Sequence, residues 1–348
     1  MSSEKSKKTA LVTGAAGFMG SHLVDYLLSE DYQVVGVDDL SGGYKQNINP
    51  QSEFYKIDLR ETEKTIVLIK RIRPLIIYHL AADATEGRSQ FTPIQCTQRN
   101  YLAHLNLLVG SIQAGVKRVV FTSSMSVYGD QKPPFSENMP VRPVDIYGIS
   151  KAAMEQATQV LSKVYGFEYT ILRPHNVYGP RQNIADPYRN VIGIFINRML
   201  QGKHFFIYGD GNQKRSFSYI EDVTPYIAKA GFLKKTNGEI INIGSTELHT
   251  VNEVAQEVLS YFVKDLRKIP KHLRPIYLPD RPQEVKYAYC TDDKARSILG
   301  FKNTTPLKVG IKKMLDWAKK LGPQEFKYLE DLELASSKIP KTWEKKLI

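Results

Sequence analysis

The feature that most restricts what this chain can fold into is Gly14-Ala-Ala-Gly17-Phe-Met-Gly20. It stands directly after a β-like run, Thr9 to Thr13, and opens a helical pattern. Glycines let a backbone turn sharply and approach a phosphate closely, and the N-terminus of the following helix offers N–H donors at the positive end of its dipole. Strand, glycine turn and helix in that order predict a dinucleotide-binding βαβ unit. The rest of the first half agrees. Candidate strands at Ala10–Val12, Val34–Val37, Phe54–Ile57, Leu75–His79, Arg118–Thr122 and Glu168–Leu172 alternate with helix-length segments near Gly20–Leu28, Glu61–Arg71, Pro93–Ala114 and Tyr147–Tyr165. Apolar strands alternating with helices predict a parallel sheet covered on both faces.

Right-handed crossovers make this an α/β, doubly wound Rossmann sheet. After about residue 175 the texture changes: Gly, Pro and Asn thicken between Arg173 and Asn183, and the elements shorten. The chain therefore divides into a cofactor domain, residues 1–175, a smaller α/β substrate lobe, 176–322, and a tail, 323–348. A strand at Glu239–Ile243 and a helix at Val251–Phe262 are expected to return to the first domain, near 239–262. Trp343 is expected to dock the tail on the body.

Charge invites a competing reading. Lys+Arg is 48 against 36 Asp+Glu, a net charge of +12, which would suit nucleic acid. The excess, however, collects at the ends, and the Lys312-Lys313 and Lys319-Lys320 pairs flank Leu315 and Trp317 as a solvated helix face would. No zinc-finger spacing or RNA-binding aromatic signature occurs, so nucleic acid is not an expected partner. Two cysteines, Cys96 and Cys290, exclude a disulfide framework and a four-cysteine zinc site, and no metal is expected. No run of about 18 apolar residues occurs, so a soluble, cytoplasmic protein away from the membrane is expected.

Asp38 ends the second strand 18 residues after Gly20. A carboxylate there accepts hydrogen bonds from ribose hydroxyls and repels a 2′-phosphate, which favours NAD over NADP. Asp58 closes the third strand, followed by Leu59, and can meet an adenine amino group. His79-Leu80-Ala81-Ala82 closes the fourth, its small residues leaving room for a cofactor across the strand ends. His79 itself reads as a packed core histidine.

Tyr147-Gly-Ile-Ser-Lys151 places a phenol and an ammonium on one helix face. Lowering a tyrosine pKa by about 3 units takes about 4 kcal/mol, which a buried lysine together with a cationic nicotinamide can supply. Ser124, at the end of the fifth strand and 23 residues before Tyr147, can bridge a substrate oxygen and the phenolate.

On the glycine turn, Val37-Asp38-Asp39-Leu40-Ser41, Ser124, Val127-Tyr128-Gly129-Asp130, Tyr147 and Lys151, the chain resembles the extended short-chain dehydrogenase/reductases, within them the NAD-dependent epimerase/dehydratase family, and in particular UDP-sugar 4-epimerases. The resemblance runs from about Thr9 to Trp317. It implies Ser124, Tyr147 and Lys151 as catalytic residues. It implies a cofactor site of Gly14, Gly17, Phe18, Met19, Gly20, Asp38, Asp58, Leu59, Leu80, Ala81, Ala82, Asn100 and Pro174, completed by Tyr147 and Lys151. For the nucleotide-sugar it implies Ser124, Asn176, Asn190, Val191, Arg215 and Arg281, the arginines gripping the diphosphate, with Ala288 as a gate whose small size admits an N-acetyl group. Dehydratases of this group carry Thr-Asp-Glu before Val-Tyr-Gly, and decarboxylases keep Glu where Ser126 stands. Ser124-Met125-Ser126 lacks both carboxylates, which leaves epimerisation at C4 through a 4-keto intermediate.

Several departures qualify the match. Asn176 stands where glucuronate epimerases carry Thr, which favours an uncharged sugar, although Arg181 and Arg189 lie near enough in sequence to meet a carboxylate. Asp83-Ala84-Thr85 replaces a family lysine, and Arg99 stands where a cofactor-contacting Asn is found. A UDP-glucuronate 4-epimerase, another nucleotide-sugar epimerase or reductase, and a non-catalytic NAD-sensing protein are the alternatives. The resemblance also implies a homodimer through Pro93–Ala114 and Tyr147–Tyr165, carrying Leu102, Leu105, Leu108, Met154 and Leu161.

Overall fold

The computed structural model describes residues 8–280, 286–328, 332–334, 336 and 338–348. Its centre is a seven-stranded parallel sheet of β1 (Thr9–Thr13), β2 (Gln33–Asp38), β3 (Glu53–Lys56), β4 (Ile76–His79), β5 (Arg118–Thr122), β6 (Glu168–Pro174) and β11 (Glu239–Ile243). The spatial order is β11-β6-β5-β4-β1-β2-β3. The winding reverses between β1 and β4, so the loops that follow these two strands diverge and leave a crevice at their C-terminal ends.

Apolar strands demand cover on both faces, and the helices provide it. On one face α1 (Phe18–Ser29) and α8 (Ile220–Ala230) pack Leu23, Leu27, Val223 and Ile227 against Ala10, Val12 and Val120. On the other, α2 (Thr62–Ile72) and α5 (Ala103–Ala114) bury Leu68, Ile69, Leu107 and Leu108 against Leu11, Ile77 and Val119. Alongside, α6 (Ile146–Tyr165) sets Met154 on Phe121 and Ile171. It is stopped by Gly166, whose φ of +78° suits a glycine cap.

Pro93–Ala114 is not one helix. It divides into α4 (Pro93–Thr97), a π-helical turn (Gln98–Leu102) and α5. The cause is a side chain. The Asn100 amide donates to the Cys96 carbonyl at 2.9 Å, the oxygen an α-helix would pair with the Asn100 backbone N–H. Between β4 and α4 lies one further turn, α3 (Glu86–Ser89).

A second core belongs to the smaller lobe, where α7 (Val191–Leu200), α9 (Val251–Ser260) and α11 (Leu307–Leu321) enclose Phe195, Phe205, Val254, Val258, Ile311 and Met314. Its short strands pair as β7 (Val177–Tyr178) with β10 (Ser218–Tyr219), and β8 (Phe206–Tyr208) with β13 (Ile276–Leu278). In the third group, β9 (Lys214–Ser216) lies between β12 (Leu248–Thr250) and β14 (Tyr287–Ala288). Thus Glu239–Ile243 does join the central sheet, but the helix after it does not return. Val251, Val254 and Val258 give α9 an apolar stripe that fits the second core. The remaining helices are α10 (Asp293–Leu299), against β11, and α12 (Lys341–Glu344) in the tail.

The expected subunit face needs revision. Leu108 and Met154 are fully buried within the protomer, whereas Ile94, Leu102, Val109, Ile149, Val160, Val164 and Tyr165 are the exposed large apolar residues of these segments. No helix of the described residues is long and apolar enough to cross a membrane.

Candidate active site

A cavity of about 1420 Å³ opens over the C-terminal ends of β1, β2, β4 and β5 and continues between the two lobes. That exceeds the ~300–1,000 Å³ usual for one small ligand and leaves room for a dinucleotide and a second molecule.

At one end is the glycine turn. Gly14 has φ +70°, and a Cβ there would lie 2.8 Å from the Ala81 nitrogen. A Cβ on Gly20 would come within 2.0 Å of the Gly14 carbonyl oxygen. Only glycine lets α1 start so close to β1 and β4. Gly17 is the N-cap and brings no side chain to it, so the first-turn N–H groups at Phe18 and Met19 are left for a ligand. Leu80, Ala81 and Ala82 form the opposite wall.

Asp38 is buried at the end of β2. Its Oδ2 accepts from the Ala16 N–H at 3.0 Å and its Oδ1 from the Leu40 N–H at 2.7 Å. Burial pushes its pKa up while these donors pull it down. The two bonds fix the carboxylate at the cavity edge with lone pairs to spare for ribose hydroxyls. Asp58 also lines the cavity, held 2.6 Å from Arg60, whose guanidinium keeps the carboxyl below its usual range. A cradle that a Cβ would fill, donors at a helix start and a fixed ribose-side carboxylate fit a dinucleotide without a 2′-phosphate.

Among the expected cofactor residues, Asn100 and Lys151 do not line the cavity, and Asn100 has a structural task instead. It is completely buried. Its amide donates to the Asp83 and Cys96 carbonyls, and its oxygen accepts from the Asp83 N–H at 3.1 Å. It is a bracket for the loop after β4.

The reactive groups meet further along. Ser124 follows β5 and caps a short turn, accepting from the Ser126 N–H at 3.1 Å. Tyr147 lies in the first turn of α6, where Asp145 accepts from the Gly148 N–H at 2.7 Å as N-cap. The tyrosine therefore belongs to the positive end of that helix. Lys151, one turn on, is buried behind the tyrosine and off the cavity surface. Its Nζ is 5.7 Å from the Tyr147 ring centre and donates to the Thr122 carbonyl at 2.8 Å. Burial pulls the ammonium down to about 8. Burial first, and then the nearby Glu86 charge, push the Tyr147 phenol up; a hydrogen bond with Ser124 and the Arg189 cation oppose them. The floor beneath is polar but neutral. The His79 ring stacks on His104 at 5.1 Å, with Nδ1 2.7 Å from the Thr13 hydroxyl.

Glu86 is the residue that sequence reasoning missed. Its carboxylate accepts from the Ser126 hydroxyl, which lies 2.9 Å from Ser124 Oγ. The site therefore does hold a carboxylate beside Ser126, delivered by α3 rather than by the β5 loop. Glu86 follows directly on Asp83-Ala84-Thr85, a stretch that reads as a missing lysine. In the structure Asp83 forms a buried ion pair with Arg88 at 2.6 Å and shapes the turn that presents Glu86.

On the lobe side, Pro174, Asn176, Asn190, Val191, Arg215 and Ala288 all line the same cavity. Asn176 and Asn190 have φ of +43° and +65°. The Asn176 amide holds the Ser216 carbonyl at 2.9 Å, and Gln182 donates to the Asn190 oxygen at 2.8 Å. Ala288 sits in register with Arg215 across β14 and β9. Arg281 lies outside the described residues. Arg181 is turned away, 2.7 Å from Asp25 of α1, whereas Arg189 lines the cavity with Nε 2.8 Å from Asp186.

The model of the NAD dependent epimerase/dehydratase family matches residues 10–244, about two thirds of the chain. The chain belongs to that family. A putative UDP-glucose 4-epimerase of Methanocaldococcus jannaschii is 37% identical over 314 residues, covering 89% of this chain and 98% of that one. The crystal structure of UDP-glucose 4-epimerase with UDP-glucose from Thermotoga maritima superimposes with a TM-score of 0.84 at 34% identity, covering 90% of this chain and 99% of that one. UDP-glucuronic acid 4-epimerase from Bacillus cereus, in complex with UDP-glucuronic acid and NAD, gives 0.81 at 30%, covering 90% and 99%. This family member is therefore an NAD-dependent enzyme of the α/β Rossmann type, and the glycine turn, Asp38 and the β4 wall are the residues that could hold its cofactor.

Proposed function

We propose that this enzyme inverts C4 of a UDP-linked, uncharged hexose or N-acetylhexosamine. The observation that carries the reading is that Ser124 and Tyr147, from β5 and α6, line one cavity with the glycine turn and with Arg215. NAD, when bound by the glycine turn and Asp38, would supply the hydride acceptor and donor for C4 of the sugar. Tyr147, as phenolate, accepts the 4-hydroxyl proton, with Ser124 bridging the two oxygens. Lys151 and the start of α6 favour the phenolate. Asn190, Val191 and Arg215, with Arg281 as a further cation, hold the UDP moiety. Binding energy far from C4 then retains the 4-keto sugar while it turns its other face.

Glu86 supports an uncharged sugar, since a uronate would bring a second anion beside it. Its carboxylate also favours a second reading, loss of water from the 4-keto intermediate. One experiment separates them. UDP-glucose, UDP-galactose and their N-acetyl and uronate forms are followed by NMR with no added NAD. Interconversion of the 4-epimers, lost in Tyr147→Phe while NAD still copurifies, is the expected result. A 6-deoxy-4-keto product would establish elimination instead, and turnover of a 4-keto sugar that appears only on adding NADH and consumes it stoichiometrically would establish a reductase. We also propose a homodimer over the exposed residues Leu102, Val109, Val160 and Val164; a monomeric mass in sedimentation would remove it.

A further inference from the structure

Relatives matched over 98 to 99% of their own length cover only 89 to 90% of this chain. The family resemblance in sequence runs to about Trp317, and the described residues of the tail that follows are docked on the body. Glu333 accepts from the backbone N–H groups of Ile94 and Gln95, each at 2.7 Å, at the start of α4. The Leu334 N–H reaches the Phe91 carbonyl at 3.1 Å. The tail also reaches the other lobe, where the buried Thr342 hydroxyl bonds Tyr208 of β8.

At and beside these anchors the tail lines the cavity through Leu334, Pro340 and Trp343. Trp343 is nearly buried. It packs edge-on against Tyr188 at 5.1 Å, and a Cβ on Gly87 would lie 3.2 Å from its ring. Gly87 is the neighbour of Glu86, and the Tyr147 N–H donates to Ser89 two residues further on. The indole therefore stands on the reactive end of the cavity, away from the glycine turn.

We propose that the tail is a wall of the sugar subsite and that Trp343 is its specificity-determining residue, an aromatic surface against which the hexose ring of the UDP-sugar rests. The proposal rests on the UDP-sugar reading above. An apolar ring packs on the C–H face of a hexose and excludes water from the reacting carbon. Because the wall is fastened to both lobes, it also limits how large a ring substituent can be accepted.

The chain has two tryptophans, Trp317 and Trp343, so Trp317→Phe leaves Trp343 as the only indole reporter. Its emission is expected to change on titration with UDP-glucose and to stay constant with UDP, which lacks the hexose. In Trp343→Ala, and in a chain ended at Tyr328, KM for the UDP-sugar should rise about tenfold, the loss of one buried aromatic contact. The differences in KM among the UDP-sugars should shrink as the size limit is lifted, with the NAD content unchanged. A silent Trp343 in protein shown by calorimetry to bind UDP-glucose, or unaltered KM ratios in both variants, overturns the wall. Absence of calorimetric binding by both UDP and UDP-glucose overturns the UDP-sugar reading itself, and the wall with it.

Discussion

Replacing Gly20 with alanine tests the cofactor cradle at its tightest point. The added methyl would stand 2.0 Å from the Gly14 carbonyl oxygen, 2.7 Å from its carbon and 3.1 Å from the Ala15 Cα. All three are backbone atoms, so no side chain can step aside. Restoring an ordinary contact moves the turn by about 1 Å, which stretches an N–H···O bond to phosphate from about 2.8 to 3.8 Å, beyond hydrogen-bond range. A charge-assisted bond lost in this way is about 1.5–3 kcal/mol, or roughly 10- to 150-fold in NAD affinity. The folded protein itself should lose about 1–3 kcal/mol from overpacking. NAD content after purification and calorimetric titration of the stripped protein measure the first effect, and thermal melting the second. Gly42→Ala is the control: Gly42 lines the same cavity, and its added methyl meets nothing within 4 Å. If Gly20→Ala binds NAD with the parent's affinity, the turn does not hold the phosphates.

Glu86→Gln removes an anion that raises the Tyr147 pKa, so the acid limb of kcat/KM against pH should move to lower pH; an upward shift would assign Glu86 another role. Lys151 is held at about 8, hence charged below that pH and neutral above it. Activity should fall as pH rises through 8, and Lys151→Arg, which keeps its charge, should carry any remaining activity past that limb. Glu155 and Arg173 form a buried pair at 2.6 Å, so Glu155→Leu should cost about 3–5 kcal/mol in chemical denaturation and Glu155→Leu/Arg173→Met should recover part of it; equal loss in both would deny the pair its role. Ala288→Tyr should abolish turnover of N-acetyl sugars alone, and equal loss on UDP-glucose would refute the gate.

The cofactor half was legible because its signals are local. Gly14 to Gly20 sits within one strand–turn–helix unit, and Asp38 ends β2 while Asp58 follows β3 by two residues, both in a strand–helix alternation that is plain in sequence. The rest depends on contacts between distant segments. Asn100 lies beside the cavity wall in sequence, but its amide captures the Cys96 carbonyl and turns the helix into a π turn, which no spacing rule announces. Glu86 meets Ser126 only because β4 and β5 are neighbours in the sheet, so that the loops after them converge. Leu108 and Met154 fit a subunit face or a core equally well by periodicity; the packing of α5 and α6 on the sheet decides for the core. The docking of Trp343 beside Gly87 links the last turn of the chain to the loop after β4, far beyond the reach of local pattern.

The neutral floor under the reactive tyrosine has one more consequence. Lys151 passes a hydrogen bond to the Thr122 carbonyl, which cannot take its proton. Behind it, burial holds His104 down to about 3 and His79 well below its ordinary value. Both rings are therefore neutral at neutral pH and hold no proton charge behind the tyrosine. An oxidation that ended in ketone would have to discharge one proton to water in every turnover. An inversion ends with as many protons as it began with. A base sealed from behind, which keeps what it has taken until the same sugar returns for it, suits that chemistry.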